Sequence, residues 1–408
     1  MNTAQALSHL KELLKDVKDA SFRIRLWDGT EEAIGAAPTF TLVFRDEATF
    51  AELMRTPDAY HFAVAYCEDR FDVEGDLYGM LRLKQVLKTV DAPWKTKLAV
   101  LLSVGFGGLH SKKGDKRNIQ AHYDVSNDFY RLFLDTRIMA YSCAYFHTPS
   151  DSLEDAQEHK VDLVCRKLRL KPGERLLDIG CGWGGLLIHA AKNYGVTGVG
   201  VTLSQNQYDL ARASVAAAGL QDKITIELRD YRDLTDASFD KISSIGMVEH
   251  VGIRNYPKYF GAAYRLLKDG GLFLNHGITG DPSHKDAGEG KFLRTRIFPN
   301  AEMDSISHME VMAEAAGFEI LNVESLRPHY ALTLRAWEKR LVDGWDRAVA
   351  ATSKETCRTW RIYLAGCAVA FEEGTASVFQ TLLQKAPNGE WGVPLTPHDV
   401  YSTGVWNS

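Results

Sequence analysis

The stretch LLDIGCGWGG, residues 176–185, decides which fold class the chain can adopt. It predicts a buried strand that ends near Asp178, then a glycine-rich turn and the start of a helix. Gly180, Gly182 and Gly184 allow the backbone to turn tightly, because no side chain obstructs it there. Such a turn brings backbone N–H groups and a helix N-terminus close to a bound cofactor.

Two classes of cofactor-binding protein share these glycines. Gly180, Gly182 and Gly185 satisfy the G-x-G-x-x-G pattern of dinucleotide-binding folds. Asp178, Gly180, Gly182 and Gly184 satisfy the looser D-x-G-x-G-x-G pattern of methyltransferases that use S-adenosylmethionine (SAM). The glycine turn alone does not distinguish the two classes.

The end of the second predicted strand separates the two hypotheses. A dinucleotide-binding fold needs an acidic residue about 20 residues after the glycines, where it binds the ribose hydroxyls. The strand at 196–201 is followed by TLSQ, which contains no acidic residue. This absence weakens the NAD hypothesis, although it also departs from the commonest methyltransferase pattern. Thr202 and Gln207 are candidates for neutral hydrogen bonds to a ribose instead.

The order of elements after residue 118 predicts a doubly wound α/β fold with a parallel sheet, because strands and helices alternate. Strands are predicted at 175–179, 198–201, 224–228, 241–245 and 272–276. Helices are predicted near 185–194, 205–218 and 256–267. Two late strands, at 318–325 and 329–335, are predicted to form an antiparallel edge pair, followed by a long helical segment at about 336–385.

The residues before this α/β unit predict a smaller α+β module. An amphipathic helix is expected at 1–20, strands near 21–27 and 39–44, and a helix near 47–54. We therefore divide the chain into an N-terminal domain at 1–81, a basic connector at 82–117, the main domain at 118–385 and an irregular tail at 386–408.

Composition indicates a globular enzyme of the reducing cytosol. The 408 residues are 45% hydrophobic and 25% charged, and the net charge of −5 gives no indication of nucleic acid binding. The six cysteines show neither a C-x-x-C pair nor metal-ligand spacing, so we expect free thiols and no metal. The first 20 residues lack the layout of a signal peptide, and the near-apolar run at 98–109 is too short to span a bilayer.

The connector at 82–117 carries charge of the opposite sign to the whole chain. It contains nine basic and two acidic residues, a local charge of +7, together with Trp94 and the near-apolar run. Such a mixture suits adsorption to an anionic membrane surface. A solvated helix face and a flexible loop would explain the same composition.

Polar residues follow the predicted strands at the edge where open α/β sheets bind ligands. An acid, a histidine and a tyrosine in one crevice could form an acid–base or anion-binding cluster, although each alone is often a structural hydrogen-bonding group. The residues concerned are Asp230, Tyr231, Glu249, His250, His276 and Tyr330.

Residues from about 118 to 385 resemble the cyclopropane-fatty-acid synthases, including the mycolic-acid cyclopropane synthases. The resemblance rests on motifs in the expected order: HYDVSNDFY, YSCAYF, LLDIGCGWGG, GVTLSQNQ, RDYRDL, SIGMVEHVG, LNHGI and LRPHYALTLRAW. Over residues 1–117 the resemblance is weaker, and AYCEDRFDVEGDL departs from the family's usual version. Phospholipid-modifying members carry a comparable N-terminal domain, which implies a lipid-binding role for residues 1–81.

The resemblance implies a class I SAM methyltransferase fold and a specific reaction. A methylene group passes from SAM to the cis double bond of an unsaturated phospholipid acyl chain, with bicarbonate as the base. The implied bicarbonate ligands are Cys143, Glu249, His276, Ile278 and Tyr330. The implied SAM-binding residues are Tyr141, Ser142, Asp178, Gly180, Gly182, Thr202, Leu203, Gln207, Asp230, Tyr231, Arg232 and Ile245. We expect a cytoplasmic enzyme, peripheral at the inner face of the membrane, that could form a homodimer.

Several alternatives remain open at this point. A related enzyme could methylate the acyl chain without ring closure and give a methyl-branched or methylene lipid. A small-amine N-methyltransferase would have no use for the bicarbonate ligands. A non-enzymatic lipid-binding protein would not need the glycine turn. Cys143 could also be a nucleophile, although a small buried cysteine is the commoner role.

Overall fold

The computed structural model describes residues 7, 21–56, 58–88, 126–235, 238–280, 289–298, 302–389 and 391–401. Most of the predicted N-terminal helix and residues 89–117 of the basic connector lie outside these ranges. The chain divides into two compact units. The first takes described residues from 1–106, 285–299 and 341–370, and the second takes those from 107–284, 300–340 and 371–408.

The structure contains eleven strands and fifteen α-helices within the described residues. The strands are β1 (Phe22–Arg25), β2 (Glu31–Ile34), β3 (Phe40–Phe44), β4 (Phe71–Gly75), β5 (Arg175–Ile179), β6 (Thr197–Thr202), β7 (Ile224–Leu228), β8 (Phe239–Ile245), β9 (Leu267–Gly280), β10 (Phe318–Ser325) and β11 (Ala376–Lys385). The helices are α1 (Glu47–Arg55), α2 (Ala59–Cys67), α3 (Leu77–Lys88), α4 (Asn127–Arg131), α5 (Leu153–Lys167), α6 (Gly185–Tyr194), α7 (Gln205–Ala217), α8 (Val248–Val251), α9 (Tyr256–Leu266), α10 (Glu289–Phe292), α11 (Ile306–Ala315), α12 (Arg327–Asp343), α13 (Trp345–Ala351), α14 (Lys354–Glu373) and α15 (His398–Tyr401).

The first unit contains a four-stranded sheet in the order β2-β1-β3-β4, with β1 parallel to β3 and the other pairs antiparallel. Aromatic side chains form its core: the Phe22 and Phe40 rings stack with centroids 5.4 Å apart. Asp46 caps helix α1 by accepting a hydrogen bond from the Thr49 N–H at 2.7 Å. The small α+β region and its two predicted strands are confirmed, while β2 and β4 were missed.

Arg358, from α14, belongs to the first unit. It is buried, and its guanidinium lies 3.9 Å from the Tyr66 ring centroid. It also donates to the backbone oxygens of Tyr66 at 2.5 Å and Phe71 at 2.8 Å. These bonds and an ion pair with Asp72, at 3.1 Å, offset the cost of burying the charge. They tie a late helix to residues whose predicted domain ended at 81.

The second unit is built on a seven-stranded sheet in the order β10-β11-β9-β8-β5-β6-β7. The five predicted strands are confirmed as β5 to β9, and they are mutually parallel. Successive residues of β5 enter different buried clusters, Leu176 with α5 and α6, and Leu177 with α9. Since side chains alternate across a strand, both faces of the sheet are covered by helices.

The predicted strand at 329–335 is wrong, since these residues belong to helix α12. Pro328 stands in the first turn, where its missing N–H costs no hydrogen bond. Ala331, Leu334 and Trp337 then recur at helical spacing and are all buried. The alternation in HYALTLR reflects one face of this helix.

The predicted helical segment at 336–385 is also wrong in its last part. Helix α14 ends at Glu373, Gly374 follows with φ +78°, and β11 begins at Ala376. β11 lies between β9 and β10 and is antiparallel to both. The predicted antiparallel pair at 318–325 therefore exists with a different partner strand. The tail predicted as irregular includes α15, in which Val400 is buried.

Leu383 tests whether β11 belongs to the core. It is fully buried in the cluster on one face of the sheet. We expect Leu383→Ala to destabilise the protein by about 2–5 kcal/mol, because a large buried side chain leaves a cavity. Urea denaturation followed by circular dichroism measures this. Leu395→Ala is the matched control, since that side chain is 92% exposed, and it is expected to change stability little. Equal effects of the two substitutions would contradict this position for β11.

Candidate cofactor and catalytic site

A cavity in the second unit opens at the carboxyl ends of β5, β6, β7 and β8. Every residue that the sequence analysis assigned to the cofactor lines it. None of the five assigned to bicarbonate does so. The two predicted sets therefore occupy different surroundings.

The glycine turn after β5 forms the floor of the cavity. Gly180, Gly182 and Gly184 all have positive φ, at +77°, +54° and +84°. A Cβ at Gly180 would lie 2.4 Å from Met247 Cγ, so packing alone excludes a side chain there. A Cβ at Gly182 would meet no protein atom within 4 Å. Gly182 therefore borders open space in the cavity, which a ligand can approach closely.

Thr202 and Gln207 form a neutral pair at the end of β6. The Thr202 hydroxyl donates to Gln207 Oε1 at 2.8 Å, and both residues are buried. Ser204 caps α7 by accepting from the Gln207 N–H at 3.3 Å. The pairing turns the NH2 end of the amide away from Thr202. This amide can serve where a dinucleotide-binding fold would present a carboxylate.

Asp135 shapes one wall of the cavity, and the sequence analysis missed it. Its buried carboxylate accepts hydrogen bonds from the N–H groups of Arg137, Ile138, Met139 and Ala140, at 2.5–3.1 Å. Met139 adopts φ +54°, which is unusual for a residue with a side chain. The available signal was an aspartate at the start of a turn, where its carboxylate can accept hydrogen bonds from the backbone N–H groups that follow.

Lys160 places a buried cation in the cavity, and it too was missed. It is 2% exposed, and its Nζ donates to Ser142 Oγ at 2.9 Å. Burial lowers the pKa of Lys160 to about 8. Burial also raises the pKa of the cavity residue Asp178 to about 6, although Ser243 and Lys160 act in the opposite direction. The signal was a lysine on the apolar face of α5.

Asp230 and Arg232 satisfy each other in the turn after β7. Asp230 accepts from the Arg232 backbone N–H at 2.9 Å and from its guanidinium at 2.9 and 2.6 Å. The Arg232 guanidinium carbon lies 5.8 Å from the Tyr231 ring centroid. The pair lines the cavity, but it also has this structural role in holding the turn.

Glu249 lies on the short helix α8 against β9. Its side chain is buried, and no group among the described residues hydrogen-bonds to Oε2. Burial raises the pKa of Glu249 to about 7, while hydrogen bonds from its own N–H and that of Ile278 act to lower it. A Cβ on Gly277 would lie 3.6 Å from Oε2. This carboxyl therefore changes charge near neutral pH.

His276 lies on β9, one residue before Gly277. Its Nδ1 is 3.3 Å from Gln380 Nε2, and within the described ranges its Nε2 has no hydrogen-bond partner. Burial holds the pKa of His276 well below its usual value, and Lys160 and Lys167 add to this effect. The ring is therefore neutral. Buried polar atoms are normally satisfied, so His276 Nε2 and Glu249 Oε2 are each a position at which a ligand can form a hydrogen bond.

Cys143 lies beside helix α12, and Tyr330 belongs to that helix. Burial raises the pKa of the Cys143 thiol well above its usual value, which makes a nucleophilic role implausible. The next residue, Ala144, donates its N–H to Thr333 Oγ1 at 3.0 Å. Tyr330 lies one helical turn before Thr333. Its ring packs against the Phe371 ring, with the two centroids 4.6 Å apart.

Comparison with known proteins assigns the family. The model of the mycolic acid cyclopropane synthetase family matches residues 110–381. The chain belongs to this family. A domain family of unknown function matches residues 9–89. The protein is a SAM-dependent methyltransferase of the cyclopropane synthase family.

Two relatives and one solved structure indicate how far the similarity extends. A probable fatty acid methyltransferase of Pseudomonas putida is 40% identical over 93% of this chain and 96% of its own length. The cyclopropane-fatty-acyl-phospholipid synthase of Escherichia coli K12 is 39% identical over 68% of this chain and 70% of its own. A mycolic acid cyclopropane synthase in complex with SAH and CTAB superposes with a TM-score of 0.64 at 38% identity, covering 68% of this chain and 99% of that one. The predicted class I methyltransferase fold is thereby confirmed.

In the parts of the chain that the structure describes, no helix is both long enough and apolar enough to cross a bilayer.

Gly182 tests the position of the cofactor. We expect Gly182→Ala to weaken SAM binding about tenfold or more, because its Cβ would enter the space open to the ligand; tenfold corresponds to about 1.4 kcal/mol. Isothermal titration calorimetry with SAM measures this. Gly219→Ala is the matched control, since Gly219 has φ +68° and equally open surroundings but does not line the cavity. Each substitution is expected to cost about 1–2 kcal/mol of stability through backbone strain. Equal SAM affinities in the two variants would contradict the assignment.

Proposed function

We propose that the protein is a cyclopropane-fatty-acyl-phospholipid synthase. It transfers a methylene group from SAM to the cis double bond of an unsaturated phospholipid acyl chain. The observation that carries this proposal concerns two buried polar atoms, Glu249 Oε2 and His276 Nε2, to which the described residues offer no hydrogen-bond partner. A methyltransferase that acts on an amine has no need of a separate small-anion site.

The substrate explains why orientation and exclusion of water matter here. An alkene is a weak nucleophile and has no proton to lose before it attacks, so the enzyme must hold it close to the methyl donor in a dry site. Tyr141, on the cavity wall, packs on Trp337 with ring centroids 5.2 Å apart. The Tyr130 ring centroid lies 5.5 Å from that of Tyr141 and 5.2 Å from that of Trp183. Such ring faces exclude water and favour a positive charge.

The proton that must leave the new methyl group requires a base. Bicarbonate, when bound, would supply that base. Glu249, His276, the N–H of Ile278, the Cys143 segment and Tyr330 are the groups proposed to hold it. The neutral His276 ring offers one N–H, and Glu249, with a pKa of about 7, can hold or release a proton at its carboxyl near neutral pH.

The choice of substrate rests on the N-terminal residues. The Pseudomonas putida relative, named a probable fatty acid methyltransferase, is similar over 93% of this chain. A cyclopropane mycolic acid synthase of Mycobacterium tuberculosis matches only 66% of it. We propose that residues 1–81 bind lipid. A methyl-branched or methylene product is the second candidate, since it requires the same donor and the same acyl chain.

We also propose that the basic connector attaches the enzyme to the inner face of the membrane. Its charge of +7 would attract anionic headgroups by about 1 kcal/mol for each basic residue near the surface. Salt screens this attraction. The proposed location is therefore cytoplasmic and peripheral.

Product analysis with Glu249→Gln tests the proposed reaction. Wild-type protein, SAM and vesicles of unsaturated phospholipid are expected to give lipids heavier by about 14 mass units, the mass of a methylene, without the alkene signature. Glu249→Gln is expected to bind SAM normally but to lose about 10²–10³ of turnover, because one polar group of the site is altered. Mass spectrometry of the extracted lipids measures both. Retained unsaturation in the heavier lipid would favour the methylene product instead, and near-normal turnover would argue against the anion site.

The stability of Glu249→Gln serves as its control. A carboxyl whose pKa rises from 4.5 to about 7 on folding loses stability as the pH rises through 7. In bicarbonate-free buffer the variant should therefore be more stable than wild type at pH 8, by roughly 3 kcal/mol at 1.36 kcal/mol per pKa unit. The difference should vanish below about pH 4.5. Lost turnover then cannot be attributed to unfolding.

Charge neutralisation in the connector tests membrane attachment. A variant with Lys112, Lys113, Lys116 and Arg117 all changed to Gln is expected to bind anionic vesicles more weakly at low salt than wild type, with SAM affinity unchanged. Co-sedimentation at low and high salt measures this. Changing the exposed Lys223 and Arg212 to Gln provides a control at a distance in sequence. Equal binding of wild type to neutral and anionic vesicles would contradict electrostatic attachment.

A further inference from the structure

A chain of buried polar side chains leads to the imidazole of His276. Lys167, the last residue of α5, is 2% exposed and donates through Nζ to Gln380 Oε1 at 2.8 Å and to Glu324. Gln380, on β11, is fully buried, and its Nε2 lies 3.3 Å from His276 Nδ1. β11 pairs with β9 so that Gln380 stands directly opposite His276. Neither Lys167 nor Gln380 was predicted from the sequence.

The order of donors and acceptors in this chain is determined by Lys167. An ammonium group can only donate, so the Gln380 amide must present its oxygen to Lys167. Its other end is then the NH2 group, which also can only donate. His276 Nδ1 must therefore accept, and the single proton of the neutral ring resides on Nε2. The reverse orientation of the amide would set its NH2 against the ammonium.

We infer that Gln380, oriented by Lys167, is a positioning residue that keeps His276 in the Nε2–H tautomer. Nε2 is the ring nitrogen without a hydrogen-bond partner in the described structure. In this tautomer it presents a donor to a bound anion, whereas in the other it would present a lone pair and repel the anion. The tautomer follows from the contacts alone, while its use in holding an anion rests on the proposed function.

Glu324 stabilises the charged form of Lys167. Its carboxylate pairs with Lys167 and also accepts from the Tyr145 and Tyr401 hydroxyls, at 3.3 and 2.9 Å. Burial lowers the pKa of Lys167, and Glu324 acts in the opposite direction. A carboxylate beside the ammonium thus offsets part of the cost of burying it. The series of hydrogen bonds therefore starts at a charged ammonium group, which determines which group donates at each step.

Gln380→Glu tests this inference, because it exchanges the NH2 group for an oxygen of nearly equal size. A carboxylate can only accept from His276, so the ring proton should move to Nδ1. Nitrogen-15 NMR of protein labelled at its 13 histidines reports the tautomer, with the His276 signals identified by their absence in His276→Gln. Wild type should show a protonated Nε2 and Gln380→Glu a protonated Nδ1. This measurement needs neither SAM nor turnover.

The activity arm uses a matched control on the same strand. Gln384 is also fully buried on β11 and stands opposite Leu272 rather than His276, so Gln384→Glu buries a carboxylate elsewhere. We expect Gln380→Glu to lose roughly 10–100-fold in turnover, by analogy with partners that orient metal-ligating histidines. Its half-saturating bicarbonate concentration should rise, with SAM affinity unchanged. Gln384→Glu should leave the tautomer and the bicarbonate dependence as in wild type.

The outcomes separate this inference from the proposed function. A protonated Nδ1 in wild type would overturn the tautomer assignment, and a reversed tautomer with unchanged bicarbonate dependence would overturn its role in positioning. If wild type makes no modified lipid while Gln380→Glu still reverses the tautomer, the proposed function fails and the assignment stands. If Gln380→Glu does not fold, Gln380→Met should give a mixture of tautomers, and a pure Nε2–H signal in that variant would overturn the role of Gln380.

Discussion

Close backbone approach around β5 is the constraint on which the second unit depends. A Cβ at Gly180 would meet the Met247 side chain at 2.4 Å, and one at Gly185 would meet the Ile138 carbonyl oxygen at 2.2 Å. Because glycine occupies both positions, the turn after β5, the wall that precedes α5 and the segment after β8 can approach one another closely. Because all three meet beyond the strand ends, the sheet edge encloses a cavity there. Gly182 is the glycine whose missing side chain leaves that cavity open.

The sequence was sufficient for the parts of the fold where pattern and environment agree. Strands β5 to β9 are short apolar runs between turn residues, which is how strands covered on both faces read. β11 was missed because Val378, Phe379, Leu382 and Leu383 also satisfy a helical stripe, and periodicity cannot separate the two in a short run. Gly374, with its positive φ, marked the end of the helix. A glycine at this position signals the end of a helix, but the prediction gave more weight to the helical spacing of the residues that follow.

The site residues divide along the same line. The cofactor residues that the motifs carry lie within short segments, and they line the cavity together. Lys160, Asp135 and Gln380 belong to none of the motifs. Asp135 bonds the backbone N–H groups of residues 137–140, whereas Gln380 depends on a partner distant in sequence. The hydrogen bond from Lys167 to Gln380 spans 213 residues, and it exists only because β11 enters the sheet beside β9. The error over β11 therefore concealed Gln380 as well.

The proposed anion would meet little repulsion from the groups around His276 and Glu249. Lys160 and Lys167 are both buried, and both act on His276 in the direction that disfavours its protonation. The ring consequently stays neutral and contributes a donor without a further charge. Glu249, with a pKa of about 7, can be uncharged when an anion binds, which removes the repulsion that an ordinary carboxylate would exert. A neutral ring that donates and a carboxyl near neutrality suit the proposed small anion, whereas an amine substrate would gain nothing from them. This charge balance supports the choice of an anion-assisted reaction over amine methylation on the same fold.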